Sequence, residues 1–206
     1  FLNLKKFMLK NKIVDNIRNM QLKIYQVDAF TNSLFKGNPA AVVILEKEIS
    51  EELMQNIALE NNLSETAFVY INKSPIKIRW FSPIAEVDLC GHATLASAKA
   101  LFEYYMPNEQ KIVFCSKSGE LIVTKNKNFL TLNFPSDTLK KVDNADVINE
   151  AAHTNSDKTY RGRDDYLVII DTEEELRELT PNFDKVSKLD ARGLIISAPG
   201  NEVDFV

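Results

Sequence analysis

Apolar and polar positions along this chain alternate between a two-residue and a helical rhythm, and the changes of rhythm mark out its elements. Between Leu22 and Phe30 apolar side chains fall on both sides of a two-residue alternation: Leu22, Ile24 and Phe30 on one, Tyr25, Val27 and Ala29 on the other. That pattern predicts a strand with apolar groups on both faces. The turn Phe35-Lys36-Gly37-Asn38-Pro39 leads into an unbroken apolar run, residues 40–45, expected to be a buried strand. Ser50 followed by Glu51 and Glu52 is a helix start, the hydroxyl capping and the acids facing the positive end of the helix dipole, and the helix should run to about Asn61. Strands follow at 67–71 and 76–81, the second with Lys77 and Arg79 on its outer face.

Residues 81–101, F-S-P-I-A-E-V-D-L-C-G-H-A-T-L-A-S-A-K-A-L, organise the rest. They read as the end of a strand, a tight turn at Cys90-Gly91-His92, and a helix that is small or apolar on nearly every side (Ala93, Leu95, Ala96, Ala98, Ala100, Leu101). Such a turn aims the first backbone N–H groups of the helix at whatever fills the cleft, and the dipole favours an anion there. Short strands are expected at 111–115, 120–125 and 129–134, with turn residues at Ser118-Gly119 and Lys127-Asn128. Several short strands with one buried helix predict an α+β unit in which a curved sheet wraps the helix.

Residues 135–163 are polar and read as a linker with an irregular or helical stretch. Beyond them the pattern predicts a strand at 166–170, a helix at 172–179 capped by Thr172, a short helix at 183–189, a strand at 193–198, and the beginning of a strand at 203–206. Residues 1–20 are basic, with Leu4, Phe7, Met8 and Leu9 placed for one side of an amphipathic helix. Ser and a cleavage site are missing for a targeting peptide, and Met20 looks like a natural start, so an upstream extension outside the fold is expected.

Composition narrows the function classes. Hydrophobic residues make up 45% of the 206 and charged residues 26%, ordinary for a globular protein. A net charge of −4 lacks the basic footprint of a nucleic-acid binder. No apolar run approaches the roughly 18 residues of a membrane span. Two cysteines, Cys90 and Cys115, make no disulfide framework, which places the expected home in the reducing cytoplasm.

The same residue types limit the chemistry. Glu65, where a loop meets an apolar strand, is either a cap or surface partner, or a general base raised by its apolar neighbours Leu63, Ala67 and Phe68. His92 is either a hydrogen-bonding group at a helix start or a residue that shuttles a proton or holds a substrate carboxylate beside the Gly91 amide. Cys90 is either an acid/base thiol lowered by the helix N-terminus or a small buried hydrophobe. Cys115, in a strand, is expected to be a buried hydrophobe, and His153 to be solvated. No zinc spacing is present, and Gly37-Asn38-Pro39 and Gly91-His92 match neither a dinucleotide nor a P-loop fingerprint, so no metal or cofactor is expected.

Taken together, V-D-A-F (27–30), G-N-P-A-A-V (37–42), N-L-S-E-T-A-F (62–68), R-W-F-S-P (79–83), D-L-C-G-H-A-T-L-A (88–96) and G-R-D-D-Y-L-V (162–168) resemble the phenazine-biosynthesis PhzF-like isomerases, in order and spacing, over about 21–206. The resemblance implies a diaminopimelate-epimerase-like α+β fold: two similar halves, each a curved sheet around a central helix, with the active site in the cleft between them. The divisions would be an extension (1–20), a first half (21–136) and a partial second half (137–206). It also implies cofactor-independent proton transfer on a small carboxylated metabolite, by a homodimer. Glu65 falls on the family's catalytic glutamate, and Gly91 and His92 on a block that holds substrate. Cys90 falls where related racemases carry one of two catalytic thiols; it ranks below Glu65, because in PhzF-like proteins the glutamate is the expected base, and a thiol-dependent racemase would need a second cysteine across the cleft, for which Cys115, in the same half, is badly placed.

One departure accompanies these matches. The family's second half carries an Asp-Pro-x-Thr-Gly-Ser block with no counterpart here, so the second half is expected to be incomplete and the chain to be a fragment of a longer protein. The rival expectation is a catalytically inactive remnant that keeps a ligand pocket or a dimer surface.

Overall fold

The computed structural model describes the backbone of residues 3–9 and the whole of residues 20–127 and 129–206. Two compact units divide the chain, one reaching Phe134 and the other running from Pro135 to Val206.

In the first unit β1 (Asn3–Leu9) pairs antiparallel with β2 (Leu22–Ala29). The expected amphipathic helix is therefore a strand over these residues: β2 offers a row of edge donors and acceptors that an extended segment satisfies. The targeting-peptide reading of 1–20 falls largely outside the described residues. β2 pairs antiparallel with β3 (Asn38–Leu45), and β3 pairs parallel with β4 (Glu65–Tyr70) after the crossover helix α1 (Glu51–Asn61). As expected, the Ser50 hydroxyl caps α1 by accepting from Leu53 N–H at 3.2 Å. Between β2 and β3, Gly37 (φ +76°) could not be replaced without conflict: a Cβ there would lie 2.1 Å from the Ala29 carbonyl oxygen.

β4 pairs antiparallel with β5 (Ile76–Phe81), which also carries the short β6 (Glu86–Val87). Helix α2 (Gly91–Tyr104) crosses over to β7 (Lys111–Ser116), parallel to β5, and the sheet is completed by antiparallel β8 (Gly119–Asn126) and β9 (Phe129–Asn133). The order along the sheet is β1-β2-β3-β4-β5-β7-β8-β9.

Alternation sorts the apolar side chains into two layers. Val27, Val42, Ala67, Val69, Ile78 and Trp80 pack with α2, while Ile24, Val43, Leu45, Phe68 and Phe81 pack with Met54, Ile57 and Ala58 of α1. Helix α2 touches β2, β3, β4 and β9. In a flat sheet β2 and β9 would stand about 29 Å apart, six strand spacings, against a helix about 10–12 Å across. The sheet therefore curls around α2, which is why this helix is small and apolar on nearly all sides. On the outer face Arg79 forms a fork with Glu86 (Nε–Oε1 2.6 Å, Nη2–Oε2 2.8 Å) and also reaches Glu51 at 2.6 Å, while Lys117 adds a further bond to Glu86.

The second unit holds a four-stranded sheet in the order β10 (Lys140–Lys141), β11 (Lys158–Arg161), β12 (Asp165–Ile169), β13 (Gly193–Ser197). Helix α3 (Asp146–Ala152) precedes β11, and α4 (Glu173–Glu178) and α5 (Phe183–Val186) link β12 to its parallel neighbour β13. A hairpin followed by a helical crossover to a parallel strand repeats the succession β2-β3-α1-β4 of the first unit. The stretch 135–163 is more regular than its polarity suggested, holding β10, α3 and β11. Its apolar positions are few, but Ile148 joins Val168, Ile170 and Ala198 in this unit's core. The last residues make a single antiparallel bridge, Pro199 to Phe205. No helix among the described residues is long and apolar enough to cross a membrane.

Candidate active site

Strand alternation decides what meets α2. Glu65 has the same parity on β4 as Ala67 and Val69, so its side chain emerges on the α2 side, next to the N-terminal turn of that helix. This parity corrects one expectation. Leu63 and Phe68, expected to surround Glu65, pack in the layer on the opposite face with α1.

Glu65 Oε2 lies 3.4 Å from His92 Nε2. The other ring nitrogen, Nδ1, lies 3.5 Å from Cys90 Sγ. Ser64 Oγ stands 3.3 Å from His92 Nε2 and 3.4 Å from Asn38 Oδ1. Cys90 and His92 are buried, whereas the Glu65 side chain keeps 22% of its surface open and is the member of the trio most accessible to a solute. Parallel pairing of β3 with β4, Ala40 opposite Glu65, brings Asn38 to this place from two positions earlier. Sequence reasoning did not single out Asn38 or Ser64, although both lie in quoted motifs; the missing information was the register of two strands joined by a helix.

The N-terminus of α2 is built unlike that of the other crossover helices. Ser50, Thr172 and Asn182 each cap a helix with a side-chain oxygen, but at α2 the cap residue is Cys90, which supplies none. The first-turn N–H groups that such an oxygen would serve lie at Gly91, His92 and Ala93, and the Cys90 side chain makes no hydrogen bond to them. A Cβ on Gly91 would stand 3.7 Å from the Phe134 ring, in ordinary contact.

Burial pushes the Cys90 thiol up to about 12, and the nearby Glu65 carboxylate adds to the rise. The thiol is therefore protonated and a poor base at neutral pH. Burial also lowers the proton affinity of His92, against an opposing pull from Glu65, so the imidazole is neutral at neutral pH. Glu65, Cys90 and His92 place three ligand-type atoms within 4.8 Å of one another, a convergence that no spacing in the sequence announced. Binding a divalent ion there would require a thiolate, which this buried environment opposes.

The remaining candidates lie elsewhere. Cys115, expected to be buried, is exposed: on β7 the buried positions are Ile112 and Phe114, and Cys115 takes the alternate, open face. It lines an outer-face hollow with Lys73, Lys77 and Lys117. His153 is an exposed C-cap of α3.

Comparison with known proteins bears on the family and the fold. Residues 27–204 match the family model described as phenazine biosynthesis-like protein. An uncharacterised isomerase of Halalkalibacterium halodurans is 44% identical over 192 residues, covering 91% of this chain and 72% of that one. The crystal structure of a PhzF-family phenazine biosynthesis protein from Enterococcus faecalis superposes with a TM-score of 0.83 at 44% identity, covering 90% of this chain and 72% of that one. A predicted epimerase from Pseudomonas aeruginosa, 17% identical, shares the fold with a TM-score of 0.65 over 84% of this chain and 68% of its own. On this match, the chain belongs to the phenazine biosynthesis-like PhzC-PhzF family, among whose members are relatives named isomerases.

Proposed function

We propose that the protein is an isomerase that moves a proton between carbon atoms of a small carboxylated metabolite, with Glu65 as general acid and base and no cofactor. The observation that carries this reading is a partly open carboxylate held against a neutral imidazole at a helix N-terminus that has no side-chain oxygen cap. The Glu65 carboxylate removes a proton from a carbon next to an electron-withdrawing group. The electrons of that C–H bond delocalise into the group, and the resulting carboxylic acid returns the proton to another carbon. The first-turn amides at Gly91 and His92 hold the substrate carboxylate, aided by the helix dipole. Cys90, buried and protonated, is not the base.

The test is substrate C–H exchange in D2O, followed by NMR with the full-length protein across a panel of small unsaturated and amino-substituted carboxylates. Wild-type protein is expected to wash deuterium into at least one of them, and Glu65→Gln to slow that exchange about 10²- to 10⁴-fold, the usual weight of a general base. Exchange that survives Glu65→Gln, or saturable binding with no exchange at all, would overturn the reading.

A further inference from the structure

His92 has two ring nitrogens in different surroundings, and the groups around them fix which one carries hydrogen. An ionised carboxylate only accepts hydrogen bonds, so the nitrogen that faces Glu65 Oε2 at 3.4 Å is the one bearing hydrogen, Nε2. Ser64 supports the same assignment. Its hydroxyl donates to Asn38 Oδ1 at 3.4 Å, which leaves the Ser64 oxygen, 3.3 Å from Nε2, as an acceptor. Nδ1 then holds a lone pair in a buried place, and a buried acceptor needs a donor. The Cys90 thiol, 3.5 Å away, is that donor.

The setting of Cys90 suits this task. Its carbonyl accepts from the Thr94 hydroxyl and, at 3.3 Å, from Thr94 N–H, so the first turn of α2 fixes the residue. The Glu65 carboxylate is a second acceptor within the thiol's surroundings, but it already receives Nε2–H, whereas Nδ1 has no other donor among the described residues.

We propose that Cys90 is a positioning residue: its thiol donates to Nδ1 of His92 and holds the imidazole as the Nε2–H tautomer, with that N–H directed at Glu65 and Ser64. The role rests on reading Glu65 as the base, because it is the orientation of that carboxylate which the fixed N–H secures. Which nitrogen bears hydrogen is set by the partner of the other, and here the partner is sulfur. The thiol neither gives up its proton nor touches substrate.

The chain has two histidines, which makes the direct test simple. Two-bond 15N–1H correlation spectra of 15N-histidine-labelled protein at neutral pH report the tautomer of each ring, and His153→Gln identifies the His92 signals without touching the site. The expected result is an Nε2–H tautomer for His92 in the wild type, a mixture with Nδ1–H in Cys90→Ala, and a return to Nε2–H in Cys90→Ser, whose hydroxyl also donates. Turnover should follow the same order, down about fivefold in Cys90→Ala, the weight of one hydrogen bond, and largely restored in Cys90→Ser. A wild-type Nδ1–H tautomer, or identical His92 spectra in the wild type and Cys90→Ala, would overturn the proposal. The spectra need no turnover, so the failure of Glu65→Gln to stop exchange would remove the functional reading while leaving the tautomer result to stand or fall separately.

Discussion

Burial lowers the proton affinity of His92 while Glu65, 3.4 Å from its Nε2, raises it, and burial is the stronger. Folding therefore excludes a proton that the unfolded chain would bind just below the usual histidine value near 6.5. In that window the unfolded state carries more protons, so stability rises with pH and is lost on acidification. The groups facing His92 are Glu65, Cys90 and Ser64. Urea midpoints measured from pH 7.5 to 5.5 should fall with pH, and His92→Asn should flatten that slope; an unchanged slope in the variant would show that His92 is not its source. Glu86 adds a second, more acidic limb. The Arg79 fork holds its carboxyl below the usual carboxylate range, so its contribution is present above about pH 4.5 and disappears as pH falls further.

Elements were legible where alternation was clean. The apolar run that became β3, the Ser50 cap of α1 and the all-round apolar surface of α2 each followed from neighbouring residues alone. Glu65 and the Cys90-Gly91-His92 turn were legible because they sit where a loop enters an element. Three things were hidden, all for want of strand pairing: the strand at Asn3–Leu9, the exposure of Cys115, and the meeting of Asn38 with Ser64. The outer-face network shows how pairing alters the reading of a charge. Arg79 looks solvated in the sequence, yet its side chain retains 15% of its exposure and that of Glu86 10%. Arg79→Met should cost about 2 kcal/mol, since a largely buried carboxylate then keeps only Lys117. Chemical denaturation measures this directly, and a cost below about 0.5 kcal/mol would mean the fork behaves like an ordinary surface pair.

For the whole molecule, the boundary between the units lies in a short exposed segment. Residues 134–139 have no regular structure and are open to solvent, with Phe134 and Leu139 among the exposed large apolar side chains. Exposed segments outside regular structure are the preferred sites of proteolytic nicking. Brief digestion with chymotrypsin should cut first after Leu139, since the Phe134–Pro135 bond is not a chymotrypsin site, and mass spectrometry of the early fragments identifies the cut; a first cut at Phe30 or Phe35 would place the weakest segment inside the first unit. One more consequence follows from the order of the large sheet, in which every strand lies beside the strand before it in the chain except β7, which passes over the short β6 to pair with β5. Such a sheet can be laid down strand by strand as the polypeptide leaves the ribosome, each new strand finding its partner already in place. Asn38, Ser64, Glu65, Cys90 and His92 all precede Thr94, so these five residues are synthesised before any of residues 94–206.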